Sequence, residues 1–117
     1  SNLLITQLAL ALVLKASNPS VIFTSSGVGR KARAFWTSYS ISKFATEGLM
    51  QSLSDEYEKE MRINSFNPGP TRTSMRAQAF PAEDPMLLKT PEEVSKDYLW
   101  LLSDECKQTG IMFDYNE

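Results

Sequence analysis

The chain has 117 residues, of which 42% are hydrophobic and 22% charged, with a formal net charge of −2 and a pI near 5.2. That length allows one domain at most, and the slightly acidic balance leaves no electrostatic footprint for nucleic acid. With no histidine and a single cysteine, Cys106, an internal disulfide and a CxxC metal motif are excluded and a zinc site is disfavoured; the lone thiol fits a reducing, cytoplasmic compartment.

Leu3 to Leu14 is the most apolar stretch, apolar nearly all round, which predicts a buried helix over 3–15. It is too short to span a bilayer, which takes about 20 residues, and lacks the basic leader of a signal peptide. Ser17-Asn18-Pro19 ends it. Val21-Ile22-Phe23-Thr24 is β-branched and aromatic and predicts a strand over 20–25. Gly27-Val28-Gly29 reads as a flexible connector. Arg30-Lys31-Ala32-Arg33 reads as a solvated basic loop. Thr37 or Ser38 is placed to cap a long helix over 37–60. Its Phe44, Leu49, Leu53 and Tyr57 recur at helical spacing and read as core or interface.

A second strand is expected over 62–66, stopped by Asn67-Pro68-Gly69-Pro70. Residues 72–79 suit a short helix, and Pro81 to Pro85 a break. Met75, Phe80, Met86 and Leu87 either line a substrate pocket or close the core. Thr90 caps a helix that starts at Pro91 and runs to about Leu102, with Glu92 and Glu93 in its first turn, where the helix dipole favours acids. A final strand follows Gly110 over 111–115. Helices alternating with strands predict an α/β fold with a parallel sheet.

One constellation in this frame carries chemistry. Tyr39 stands four residues before Lys43, so both lie on one helix face. Ser26 stands just past the carboxyl end of the strand before that helix, the edge where open α/β sheets bind ligands. A free phenol has a pKa of about 10 and is a poor base at neutral pH. A nearby ammonium favours the phenolate. A serine hydroxyl both donates and accepts, which suits it to a carbonyl or alcohol oxygen.

With Thr24-Ser25-Ser26-Gly27, Ser38-Tyr39-Ser40-Ile41-Ser42-Lys43-Phe44-Ala45 and Asn67-Pro68-Gly69-Pro70-Thr71-Arg72-Thr73 in this order, the sequence resembles the short-chain dehydrogenase/reductase family. Its texture is similar to a bacterial subgroup of unassigned oxidoreductases. The resemblance implies a three-layer Rossmann-like sheet and an enzyme that interconverts an alcohol and a carbonyl with NAD or NADP. It implies that Tyr39 is the acid/base and that Lys43 lowers the phenol pKa and contacts the nicotinamide ribose. Ser26 would polarise the substrate oxygen. Pro68, Gly69, Thr71 and Thr73 would border the cofactor. It also implies a small-molecule substrate, neither a nucleic-acid nor a membrane partner, and a homodimer or homotetramer formed through helices 3–15 and 37–60.

The family's glycine-rich turn between its first strand and helix has no counterpart among the five glycines here. The chain therefore reads as the carboxyl-terminal half of such a fold, a partial Rossmann-like domain over 1–117. That half alone is expected to bind cofactor poorly and to be inactive. The other reading is a non-catalytic module of the same fold that serves dimerisation and assembly.

Overall fold

The computed structural model describes residues 1–115. Helix α1 covers Asn2–Val13, strand β1 Ser20–Thr24, helix α2 Thr37–Glu56 and strand β2 Arg62–Asn67. Helices α3 (Ser74–Ala79) and α4 (Pro91–Leu102) precede strand β3 (Met112–Asp114). Single 3-10 turns occupy Gly27–Gly29 and Pro85–Leu87.

The three strands pair in parallel in the order β1-β2-β3. Val21 faces Ile63 across the first pair, and Phe66 faces Phe113 across the second. Because side chains alternate along a strand, β2 feeds two cores. Ile63 points to one face, where Phe23, Met50 and Met61 complete a buried cluster under α2. Phe66 points to the other, joining Val94, Leu101 and Cys106 under α4. Helices on both faces of a parallel sheet make a three-layer, Rossmann-like α/β arrangement.

Two polar residues of β2 hold the second layer in place. Arg62 is buried, and its Nη1 donates to the Ser103 carbonyl at 2.8 Å and reaches the Leu101 and Cys106 carbonyls. A cation there satisfies the unpaired carbonyls at the end of α4 and suits the negative end of its dipole. Asn64, with no exposed surface, donates to the Gln108 carbonyl at 2.8 Å and accepts from the Ile111 amide at 3.0 Å. These bonds bring the segment before β3 alongside β2.

Several expectations need correction. Neither Thr37 nor Ser38 caps α2; its N-cap position is Trp36, which makes no side-chain capping bond. The same helix stops at Glu56 rather than residue 60, its last turn loosening over 57–60. Helix α1 contributes no buried residue: Leu3, Leu4, Ile5, Leu8 and Leu12 are exposed, and only Leu10 and Val13 pack against the core. Gly27-Val28-Gly29 is an ordered 3-10 turn with Val28 and Gly29 buried, not a flexible connector. Met75, Met86 and Leu87 are exposed and close no core.

The cap of α4 forms as the sequence suggests. Thr90 Oγ1 accepts from the Glu93 amide at 3.2 Å, and the Glu93 carboxylate accepts from the Thr90 amide at 2.6 Å. Removing half of this reciprocal box in Thr90→Ala should cost about 1 kcal/mol, seen as a lower urea midpoint at unchanged m value. Gly29 is less tolerant. A Cβ there would lie 2.9 Å from the Lys43 carbonyl oxygen and 3.0 Å from Ser25 Oγ. Backbone cannot rotate away as a flexible side chain can. Gly29→Ala should therefore cost about 1–3 kcal/mol by overpacking, measured by the same titration.

Candidate active site

Parallel pairing gathers the carboxyl ends of all three strands at one rim. Ser26 lies just past β1, Asn67-Pro68-Gly69 at the end of β2, and Asp114 ends β3. The N-terminal turns of α2 border the same rim, because Lys43 Nζ donates to the Thr24 carbonyl at 3.0 Å. That bond links α2 to the last residue of β1, two positions before Ser26.

Tyr39 and Lys43 do share one helix face. The ammonium nitrogen sits 5.7 Å from the centre of the Tyr39 ring, inside the range in which a cation and an aromatic ring attract. Ser26 starts the 3-10 turn, and its Oγ accepts from the Val28 amide at 3.4 Å. That bond uses a lone pair of the oxygen and leaves the hydroxyl hydrogen to donate. Among the described residues no hydrogen bond joins Ser26 to Tyr39; Lys43 connects the two segments through Thr24.

The turn after β2 is shaped by its own side chains. Asn67 Oδ1 accepts from the Gly69 amide at 3.1 Å, and Gly69 takes φ 66°, a left-handed conformation that glycine adopts without a Cβ penalty. Thr71 Oγ1 donates to the Gly69 carbonyl at 3.1 Å, so its hydroxyl hydrogen is committed within the turn. Thr73 Oγ1 accepts from the Arg76 amide at 3.1 Å and caps α3. Its hydroxyl hydrogen remains for another acceptor. Pro68 is half-buried between these groups.

Residues outside the sequence motifs complete the rim. Trp36 packs edge-on against Tyr39, with ring centres 5.6 Å apart, and against Phe80 at 5.7 Å. Phe80 carries the Arg76 guanidinium over its ring at 3.7 Å, and Arg76 pairs with Glu83 at 2.6 Å. An aromatic wall thus stands beside the phenol, and Phe80 belongs to it. Phe35, next to Trp36, holds φ 67° with its ring fully exposed. That backbone is unfavourable for a non-glycine residue.

Arg30 does not lie in a solvated loop as its basic neighbourhood suggests. Its Nη1 donates to Asp114 Oδ2 at 2.6 Å and its Nε lies 3.9 Å from Glu47 Oε1. Glu47, a buried residue of α2, accepts from Ser65 Oγ at 2.6 Å. Burial alone would push the Asp114 carboxyl up. The hydrogen bonds from Arg30 and Asn67, with the Arg30 charge, outweigh that and hold it below the usual carboxylate range. One signal for Glu47 was in the sequence: it stands four residues past Lys43, on the face that already carries Tyr39 and Lys43. No comparable periodicity marks Arg30 or Asp114, which meet only through the fold.

The chain resembles known proteins along most of its length. The family model for short chain dehydrogenases matches residues 1–84. An uncharacterised oxidoreductase of Escherichia coli K12, YciK, is 54% identical over 112 residues, covering 95% of this chain and 44% of that protein. Its crystal structure superposes with a TM-score of 0.93 over 97% of this chain and 47% of the other. A short chain dehydrogenase from Shigella flexneri 2a, solved in complex with NADP, matches at 54% identity and a TM-score of 0.92, covering 97% and 48%. A Pseudomonas syringae homologue matches at 46% identity and a TM-score of 0.91, over 97% and 47%. The chain spans about half the length of these relatives. On its motifs, its fold and these similarities, this chain belongs to the short-chain dehydrogenase family.

Proposed function

We propose that this chain carries the proton-transfer part of a nicotinamide-dependent oxidoreductase that interconverts an alcohol and a carbonyl. The observation that carries the reading is the Lys43 ammonium, held by the Thr24 carbonyl at 3.0 Å and set 5.7 Å from the Tyr39 ring centre. In it, Tyr39 is the acid/base for the substrate oxygen, with the Lys43 ammonium beside its ring. Ser26 donates its uncommitted hydroxyl hydrogen to the same oxygen.

Residues of α2 and of the segment after β2 suit a nicotinamide cofactor. Among the described residues Lys43 holds one hydrogen bond, to Thr24, which leaves two N–H groups for ribose hydroxyls. Thr73 keeps its hydroxyl hydrogen for an amide or phosphate oxygen, and the Pro68-Gly69 turn offers backbone without a bulky side chain at Gly69. Thr71 contributes through its backbone, its hydroxyl being committed. The nicotinamide, when bound, supplies or accepts the hydride. Similar structures hold NADP and NADPH, which makes the phosphorylated cofactor the first ligand to test. The glycine-rich phosphate-binding turn is not among these 117 residues, so this segment alone binds cofactor poorly and turns over no substrate.

A small-molecule alcohol or carbonyl is the substrate class. The same reading includes a homodimer or homotetramer, with α1 and α2 covering one another's exposed apolar side chains across copies. Leu3, Leu8 and Leu12 of α1 and Ile41 and Phe44 of α2 are exposed, more apolar surface than a lone soluble chain usually leaves uncovered. Those faces also favour the second reading, an assembly module without catalysis. Among the described residues no helix is long and apolar enough to cross a membrane.

NADPH titrated into the full-length protein should quench tryptophan emission with saturable binding. Tyr39→Phe should keep that binding and lose about 10²–10⁴-fold in turnover. Wild-type turnover in Tyr39→Phe would overturn the acid/base role. For assembly, Leu8→Lys combined with Phe44→Lys should shift the sedimentation coefficient to that of the monomer. Dimerisation without any NADPH binding would favour the assembly reading.

A further inference from the structure

The oxidoreductase reading needs two turns held at a fixed separation: the Ser26 turn, which contacts the substrate oxygen, and the Asn67–Gly69 turn, which borders the nicotinamide. Both lie at or just beyond the ends of their strands, and the last backbone bond between those strands runs from the Ser25 amide to the Phe66 carbonyl at 2.8 Å. Beyond that bond, one side chain links the two turns. Arg30 follows the 3-10 turn directly. Its Nη1 donates to Asp114 Oδ2 at 2.6 Å, and its Nη2 reaches the Phe113 carbonyl at 3.4 Å. Asp114 Oδ1 accepts from Asn67 Nδ2 at 2.8 Å, and Asn67 Oδ1 accepts from the Gly69 amide at 3.1 Å. An unbroken polar path therefore runs from the residue after the Ser26 turn to the backbone of Gly69.

The guanidinium is also fixed from behind. Its Nε lies 3.9 Å from Glu47 Oε1, and the buried Glu47 is itself held by Ser65. At that distance Arg30 and Glu47 form an ion pair without a hydrogen bond, and neither facing atom has a hydrogen-bond partner among the described residues. The head group thus sits between carboxylates from α2 and β3, with Nη1 directed at Asp114 and Nη2 at the Phe113 carbonyl, two fixed directions that a lysine ammonium does not reproduce.

We propose that Arg30 is a positioning residue of this site: the Arg30–Asp114–Asn67 clasp sets the Ser26 turn against the Gly69 turn. The proposal rests on the oxidoreductase reading. The Asp114 side chain is about half exposed, so the pair adds little to global stability. Its effect is geometric, since a displacement of about 1 Å at a reacting centre can cost about 10²-fold in rate.

The test uses the full-length protein with Arg30→Met, Arg30→Lys and Asp114→Asn. Amide hydrogen exchange at Gly69 should quicken about tenfold or more in Arg30→Met, while amides in the middle of α2 keep their wild-type rates. NADPH-dependent reduction of phenanthrenequinone should lose about 10–100-fold in kcat with the NADPH KM within about twofold. Arg30→Lys should recover only part of that kcat. A residue serving stability alone would lower the folded fraction without loosening Gly69 selectively. If Arg30→Met fails to fold, Asp114→Asn carries the same expectations, and if the quinone is not turned over, Gly69 exchange decides. Wild-type Gly69 exchange in a folded variant overturns the clasp. The outcomes separate: an unsubstituted protein that binds no NADPH defeats the oxidoreductase reading, whereas intact NADPH binding, a damaging Tyr39→Phe and unaltered Gly69 exchange in Arg30→Met defeat the clasp alone.

Discussion

The close seating of the Gly27–Gly29 turn on α2 governs the rest of the site. At Gly29 the backbone approaches the Lys43 carbonyl so nearly that no side chain fits. A turn carrying Ser26 and a helix carrying Tyr39 and Lys43 are thereby pressed into one unit. Lys43 then reaches the Thr24 carbonyl without leaving its helix face.

Around this seat the molecule spends much of its buried polar capacity. Arg62 closes the end of α4, Asn64 ties down the segment before β3, and Glu47 meets Ser65 beneath α2. All belong to β2 or pack on it. Buried polar groups left unpaired are costly, so each of these partners restricts how the layers can sit. The apolar clusters on the two faces supply adhesion, and the polar contacts supply register. The rim inherits its geometry from that register, since β2 neighbours both other strands.

Much of the architecture was legible because it follows local rules. The run Val21-Ile22-Phe23-Thr24, the Thr90 cap and the Asn67-Pro68-Gly69 stop each encode an element in a few adjacent residues. The shared face of Tyr39 and Lys43 follows from helical spacing alone. What escaped depends on distant partners. The 3-10 turn at Gly27 is stabilised by packing on α2, which two glycines in a row of three do not announce. Trp36 occupies the cap position of α2 because its ring packs against Tyr39 and Phe80, so aromatic contacts override the usual preference for Thr or Ser. Helix α1 is apolar nearly all round, and such a pattern says that a surface is to be covered without saying by what. Arg30 looked solvated because its carboxylate partners lie far along the chain, on α2 and β3.

The Lys43 contact carries one more consequence, a matter of valence. An ammonium has three N–H groups, and the strand carbonyl at Thr24 occupies one of them. Two are left for whatever docks alongside, and a pair of adjacent hydroxyls on a sugar ring can use both. Acetylation at Nζ would leave a single N–H, already claimed by the strand, and would erase the charge. One acetyl group would thus leave the side chain tied to the strand with no N–H to spare.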